Sequence, residues 1–261
     1  MTAYRVLKRG TDLKLPFEAH SLCSMSDTNA SIWKSDEVIK AWAAKAGERE
    51  RQRIEHWRIM GELLPFESTD TFTFLDLGAG MGAASRVLLE LYPNSTAVLA
   101  EFSPQMVAEG TRELEPYAGR FRYVDFDMLV GAWPAEIPHG LDAVITSLCI
   151  HHMPDDRKQG LFAEIYDRLA PGAWYVNYDP VTSPDPLVEA TWQHTNDRDD
   201  PDAEHKRSNR TPLEQARFEN HIRYMIPLDL QLEYFRAAGF EGVDAYWKHL
   251  ENVIYAGRRP T

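Results

Sequence analysis

Asp76 is followed at alternate positions by Gly78, Gly80 and Gly82, and a second acid, Glu101, closes the next apolar segment. Glycines permit positive φ and close backbone approach of a ligand, and a helix that starts behind them turns its free N–H groups to the same point. Gly78-Ala79-Gly80-Met81-Gly82-Ala83 also satisfies the dinucleotide-binding pattern in its alanine-tolerant form. The two acids narrow the choice of ligand. A carboxylate at Asp76 repels a pyrophosphate and favours an ammonium group. Glu101 stands about 20 residues beyond the loop, where a carboxylate can accept both hydroxyls of a ribose. The pattern therefore points to a nucleoside that bears a positive charge. A glycine turn that merely lets a helix pack on a sheet would explain the glycines but not both acids.

A second group of reactive side chains is Ser147-Leu148-Cys149-Ile150-His151-His152. Imidazole titrates near neutral pH, so either histidine could act as a general base, and either could instead orient an acceptor by hydrogen bonding. His151, His152, Asp155 and Asp156 are metal-capable types. Consecutive histidines point in different directions, however, and no second cluster has ligand spacing, so no metal is expected.

These groups need elements to position them. Phe72 to Leu77 is an apolar, aromatic run that predicts a buried strand ahead of the glycines, followed by a helix and a second strand ending at Glu101. Ser103-Pro104 suits a helix start, with Met106 on its inner face. Phe121 to Asp125 and Leu141 to Leu148 read as the third and fourth strands, so the histidine loop falls at a strand's carboxyl end, the ligand side of open α/β sheets. A helix from about Asp155 to Leu169, a Pro171-Gly172 turn and a fifth strand, Ala173 to Asp179, follow. Asp179 has two readings, an acceptor contact or a turn cap before Pro180. Upstream, Ser35 predicts the cap of a helix broken near Gly47, and Ile54, Trp57, Met60 and Leu64 mark a second amphipathic helix. Asn196 to Arg210 reads as a charged surface loop, Leu228 to Ala238 as a helix, and Gly242 to Lys248 with Asn252 to Arg258 as a strand pair.

Asp76-Leu77-Gly78-Ala79-Gly80-Met81-Gly82 resembles the first motif of the class I S-adenosylmethionine-dependent methyltransferases, and the resemblance runs from about Phe72 to Asp179 and resumes near Leu228. It implies a Rossmann-like, doubly wound α/β sheet of seven strands in the order 3-2-1-4-5-7-6 with one antiparallel strand. It implies S-adenosyl-L-methionine as cofactor, with Asp76, Gly78, Ala79, Gly80 and Gly82 at its methionine part and Glu101 at its ribose. Asp127 would accept the adenine amino group and Met128 would pack on the ring; a turn cap is the competing role for Asp127, and Asp125 the rival acid. Phe102, Met106, Ser147 and Leu148 complete the expected cofactor contacts. The resemblance further divides the chain into an N-terminal helical cap (1–66), a core (67–180), a lid insertion (181–226) and a closing helix and hairpin (227–261). Trp33, Tyr178, Trp192 and Tyr224 are then candidate acceptor contacts beside His151 and His152, with ordinary aromatic packing as the alternative.

The expected activity is methyl transfer to a small molecule, achieved mainly by aligning acceptor and methyl donor and excluding water, with a base optional at His151 or His152. Competing readings are a carboxy-S-adenosylmethionine synthase type of enzyme, a nicotinamide oxidoreductase and a non-catalytic cofactor-binding regulator. A net charge of −12 without a basic stripe disfavours nucleic acid as partner. Two cysteines, Cys23 and Cys149, suggest no disulfide framework. With no apolar leader in the first residues and no membrane-length apolar segment, a cytoplasmic location is expected.

Overall fold

The computed structural model describes residues 29, 31–130, 132–200 and 202–261. Cys23 and the first part of the expected N-terminal cap lie outside the described residues.

Segments rich in apolar and β-branched residues form the strands Thr73–Leu77 (β1), Thr96–Glu101 (β2), Phe121–Asp125 (β3), Leu141–Ser147 (β4), Leu169–Pro180 (β5), Glu241–His249 (β6) and Asn252–Arg258 (β7). They make one seven-stranded sheet in the order β3-β2-β1-β4-β5-β7-β6. β1 pairs in parallel with both β2 and β4, while β7 runs antiparallel to β5 and β6. The result is the Rossmann-like doubly wound fold. Its strand order reverses at β1 and β4, and the crevice at their carboxyl ends is where such a sheet accepts ligands.

Each face of the sheet is covered by helices, because the central strands are apolar on both sides. Leu75, Leu77, Val144 and Tyr175 pack under Asp155–Arg168 (α5) and Leu228–Ala237 (α9). Phe74, Leu99, Ile145 and Val176 pack under Ala46–Glu62 (α2) and Ala83–Leu91 (α3). Pro104–Glu113 (α4) begins at Ser103, whose side chain accepts from the Met106 amide.

Several boundaries differ from the sequence reading. Asp36–Ala44 (α1) is capped by Ser35 as expected, but the break falls at Lys45, and Gly47 lies inside α2. Arg49 explains the corner: its guanidinium stacks on Trp42 and donates to the Trp42 carbonyl, clamping the start of α2 to the end of α1. Pro171-Gly172 does not precede β5 but lies within it. Gly172 takes φ +83° and donates to the Arg259 and Pro260 carbonyls, and the pairing with β4 shifts between Leu141 and Ala143, so the turn is absorbed as a bulge.

Asn196 to Arg210 is not a loop. It spans the end of Pro186–Asp199 (α6) and all of Ala203–Ser208 (α7), before Pro212–Ile222 (α8). Neither α6 nor α7 has a buried residue. Asp185 caps α6, and Asp197–Arg207 and Asp200–Lys206 pairs tie α6 to α7, so local polar contacts rather than a core fix these turns.

Candidate active site

A cavity of about 610 Å³ opens at the carboxyl ends of β1, β2 and β4 and is walled by α2, the start of α4 and α8. At its floor the chain leaves β1 through three left-handed glycines, Gly78 (φ +76°), Gly80 (φ +56°) and Gly82 (φ +77°). A Cβ on Gly78 would stand 2.8 Å from Met128 Cε and 2.9 Å from Cys149 Sγ, so only glycine lets the backbone lie open there. Ties from both sides hold the loop: the Gly80 amide donates to Glu101 Oε2 at 2.8 Å, and Tyr123 Oη donates to the Gly80 carbonyl at 3.1 Å.

The two acids flank this loop, and both are buried. Asp76 Oδ2 accepts from Ser85 Oγ at 2.7 Å, yet burial pushes the Asp76 carboxyl up to about 7. Burial also raises Glu101, against the pull of three backbone amides, those of Ser103, Gly80 and Phe102. A carboxylate offers roughly four acceptor sites. With three filled, Glu101 has about one left for a ligand.

Met106, Phe102, Ala79, Asp127, Met128, Ser147 and Leu148 all line the cavity. Asp127 serves its turn as well, since Oδ1 accepts from the Leu129 amide at 2.9 Å. Asp125, the rival acid, is exposed on β3 and absent from the lining. Leu148 adopts φ +56° while its amide donates to the Tyr178 carbonyl, so the pairing at the carboxyl end of β4 holds a left-handed leucine at the cavity wall. Trp57, which the sequence reading assigned only to packing, also lines the cavity and donates from Nε1 to Ser147 Oγ at 2.9 Å.

His151 and His152 form a turn of 3-10 helix after β4. His151 is buried, with Nδ1 2.7 Å from Asp179 Oδ1 and with Nε2 bonded to nothing among the described residues. Asp179 is buried: the parallel pairing of β4 and β5 sets its carboxylate beside the histidine loop, where the backbone amides of His151 and Cys149 also act on it. Burial, followed by the charges of His221, Lys158 and Arg53, holds His151 well below the usual imidazole range. Burial raises Asp179, opposed first by Lys158. His152 packs edge-on to Trp33 and shares a hydrogen bond with the Asn220 side chain.

The fold adds His221 of α8, whose ring centroid lies 4.5 Å from that of His151. One nitrogen from each of His151, His152 and His221 lies within 4.8 Å of the others. This brings together a third histidine that sequence spacing could not reveal. The charges of Lys158 and Arg53 act on His151, while Asp179 and Glu251 act on His221 with the opposite sign.

Trp33 lines the cavity, but three other expected acceptor contacts do not. Tyr178 neighbours Asp179 on β5 and so points to the opposite face, where it packs against His56 and Trp247. Trp192 lies on α6 under the Lys248 ammonium. Tyr224 follows α8, and its carbonyl accepts from buried Lys158. Conversely, Arg49, Arg53 and Arg217 line the cavity, although the amphipathic pattern of the second helix reads Arg49 and Arg53 as part of its largely solvated face.

Residues 74–172 match the family model described as a methyltransferase domain. Among solved structures, the chain is similar to human N-acetylserotonin methyltransferase in complex with SAM, at 14% identity and a TM-score of 0.61 over 90% of this chain and 59% of that one. It is similar to PigF with SAH at 15% identity and a TM-score of 0.61, over 89% and 62%. A third is the O-methyltransferase family 2 protein from Planctomyces limnophilus in complex with apigenin, at 16% identity and a TM-score of 0.60 over 87% and 62%. At such identities the likeness establishes the fold. The chain spans 59–62% of the length of these three proteins. No curated protein sequence matches it.

Proposed function

We infer from the methyltransferase-domain match at residues 74–172 and from the cavity that the chain is a class I S-adenosylmethionine-dependent methyltransferase and that it methylates a small molecule whose proton is taken by His151. The cavity residues fit the cofactor. Asp76 and Glu101 are acids whose burial is not fully offset, and an ammonium beside the first and a hydroxyl beside the second would offset it. S-adenosylmethionine, when bound, supplies an electrophilic methyl group on a sulfonium that is itself the leaving group. Asp76, Gly78 and Gly80 would hold its methionine part, Glu101 its ribose, and Asp127 with Met128 its adenine.

One observation carries the assignment of the base. His151 is fixed through Nδ1 by Asp179 at 2.7 Å while its Nε2 is buried and unpartnered in a residue that lines the cavity. With Nδ1–H donated to the carboxylate, the Nε2 lone pair is left to accept a proton, the arrangement that lets a histidine act as general base. The acceptor loses its proton to His151 as its oxygen or nitrogen gains the methyl group. Its neutral state at physiological pH follows from burial. The helices at 31–62 and the 181–226 insertion serve as cap and lid, with Trp33 as an aromatic wall that keeps water out.

The acidic balance of the chain supports a small-molecule acceptor over nucleic acid, and the scarcity of cysteine supports a cytoplasmic setting. No helix of the described residues is long and apolar enough to cross a membrane.

Incubating the protein with metabolite extracts and isotopically labelled S-adenosylmethionine, read by mass spectrometry, should identify the acceptor by the gain of one methyl. With that acceptor, His151→Gln should lower kcat by about 10²-fold or more with little change in acceptor affinity. Because the imidazole must be unprotonated, wild-type activity should fall only as pH drops through a pKa well below the ordinary histidine value, and this acid limb should vanish in the variant. A raised KM with kcat and its pH profile retained would mean that His151 only positions the acceptor.

A further inference from the structure

We propose that the acceptor is an anion, a carboxylate or similar oxyanion on a planar apolar body, and that Arg53 binds its negative charge. This deepens the methyl-transfer reading of the same cavity and rests on it. Arg53 lies on α2 one turn before Trp57, which is pinned to Ser147 Oγ, so its side chain is delivered to the cavity by a fixed helix. Among the described residues no oxygen accepts a hydrogen bond from it and no acid pairs with it. Burial dominates its environment, and the group that acts against it is the Tyr178 hydroxyl on β5 rather than a carboxylate. A guanidinium has five donors, and taking that charge out of water without a partner is unfavourable.

Three other arginines among the described residues show the contrast. Arg86 pairs with Glu50, Arg157 with Glu164, and Arg120 donates to the carbonyls of Leu89, Tyr92 and Pro93. The chain has 40 acidic and 28 basic residues, so acids to pair with Arg53 are in excess, and its isolation is a feature of the site. Two further guanidiniums share the cavity. Arg49 stacks on Trp42, and Arg217 of α8 lies over both Trp33 and Trp42. Arg53 and Arg217 each depress Arg49, so three like charges have been gathered around a pair of indoles. Glu48 offsets Arg49 and Glu214 offsets Arg217, whereas among the described residues no acid pairs with Arg53. An anion with a flat apolar body satisfies both the charge and the aromatic walls.

The carboxylate could in principle be the cofactor's own. The position of Arg53 favours the acceptor: its charge acts on His151 and His221, beside the histidine loop that walls the cavity. Asp76, at the methionine end, is acted on by Ser85 and Glu101 instead.

The test uses the full chain in calorimetric titrations. S-adenosylhomocysteine is titrated first; then the saturated protein is titrated with matched aromatic pairs, hydroxybenzoates and indole carboxylates against their carboxamides. The wild type should bind the carboxylates about 10- to 100-fold more tightly than the amides. Arg53→Gln should remove that preference while keeping S-adenosylhomocysteine affinity within about twofold, and Arg53→Lys should restore part of it. Equal binding of acids and amides by the wild type, or a preference that survives in Arg53→Gln, overturns the proposal. Loss of S-adenosylhomocysteine affinity in Arg53→Gln also overturns it, by placing Arg53 on the cofactor's carboxylate. A wild type that binds no S-adenosylhomocysteine sinks the methyl-transfer reading itself, whereas normal cofactor binding without an anion preference sinks the acceptor class alone.

Discussion

Replacing Asp76 by Asn should stabilise the ligand-free protein and weaken its hold on the cofactor. Burial lifts the Asp76 carboxyl from 3.8 to about 7, with Ser85 opposing and Glu101 adding to the rise. A raised pKa means that the folded chain binds this proton more tightly than the unfolded chain does. The stability carried by the protonated form is therefore complete below the unfolded value and is lost as pH rises through about 7. The gap is about 3 units, and each unit is worth about 1.4 kcal/mol, so ionised Asp76 weighs on the order of 4 kcal/mol against the fold above that pH. Asn cannot ionise and can still accept from Ser85 Oγ. Urea unfolding without ligand should thus show little difference between variant and wild type near pH 4, and a gain for the variant approaching that figure near pH 8. Calorimetry should show S-adenosylmethionine binding weakened by about 10- to 100-fold, because the cationic ammonium loses its charged partner. A stability difference that is flat across this pH range would refute the assigned burial cost. Unchanged cofactor affinity would remove Asp76 from the methionine end.

Other expectations follow from the same geometry. Gly78→Ala combines a φ of +76° with contacts below 3 Å to Met128 and Cys149. It should cost about 1 to 3 kcal/mol in thermal or chemical unfolding and lower cofactor affinity; wild-type values for both would show that the loop can relax. Glu101→Ala should weaken cofactor binding by about 1.5 to 3 kcal/mol. Because Glu101 also accepts from the Gly80, Phe102 and Ser103 amides, faster hydrogen exchange at Gly80 should accompany the loss, and unchanged exchange would contradict the anchoring role. Cys149 lines the cavity, donates to the Leu77 carbonyl and has its thiol pKa raised by burial. Mass spectrometry of the peptide containing Cys149 should show slow maleimide labelling at neutral pH, and prompt labelling would mean that the cavity floor opens to solvent.

The elements that carry the cofactor loop were legible because their causes are local. β1, the glycines and α3 follow one another within Thr73–Leu91, and the apolar run, the turn residues and the helix face are all visible in that window. The strand β3 and the cap at Ser35 were legible for the same reason. The 181–226 insertion was misread where composition was the only guide: Asn196 to Arg210 is too charged to form a core, yet caps and ion pairs make it helical without one. The 171–172 bulge was misread because its partners, Arg259 and Pro260, lie far along the chain.

By itself, the sequence determined the sheet's apolar strands, the left-handed loop that only glycine permits, and the presence of acids on either side of it. Those are properties of neighbouring residues, governed by backbone sterics and periodicity. Tertiary structure decided which distant side chains meet. Asp179 reaches His151 because β5 lies beside β4, while Tyr178, one residue earlier, is turned away by the alternation of the strand. His221 joins the pair because α8 folds over the loop after β4, and Arg53 faces the same space because α2 packs its Trp57 side against the sheet. Their separations along the chain carry no periodic signal, since the free energy that brings them together comes from burying the apolar faces of the elements on which they ride.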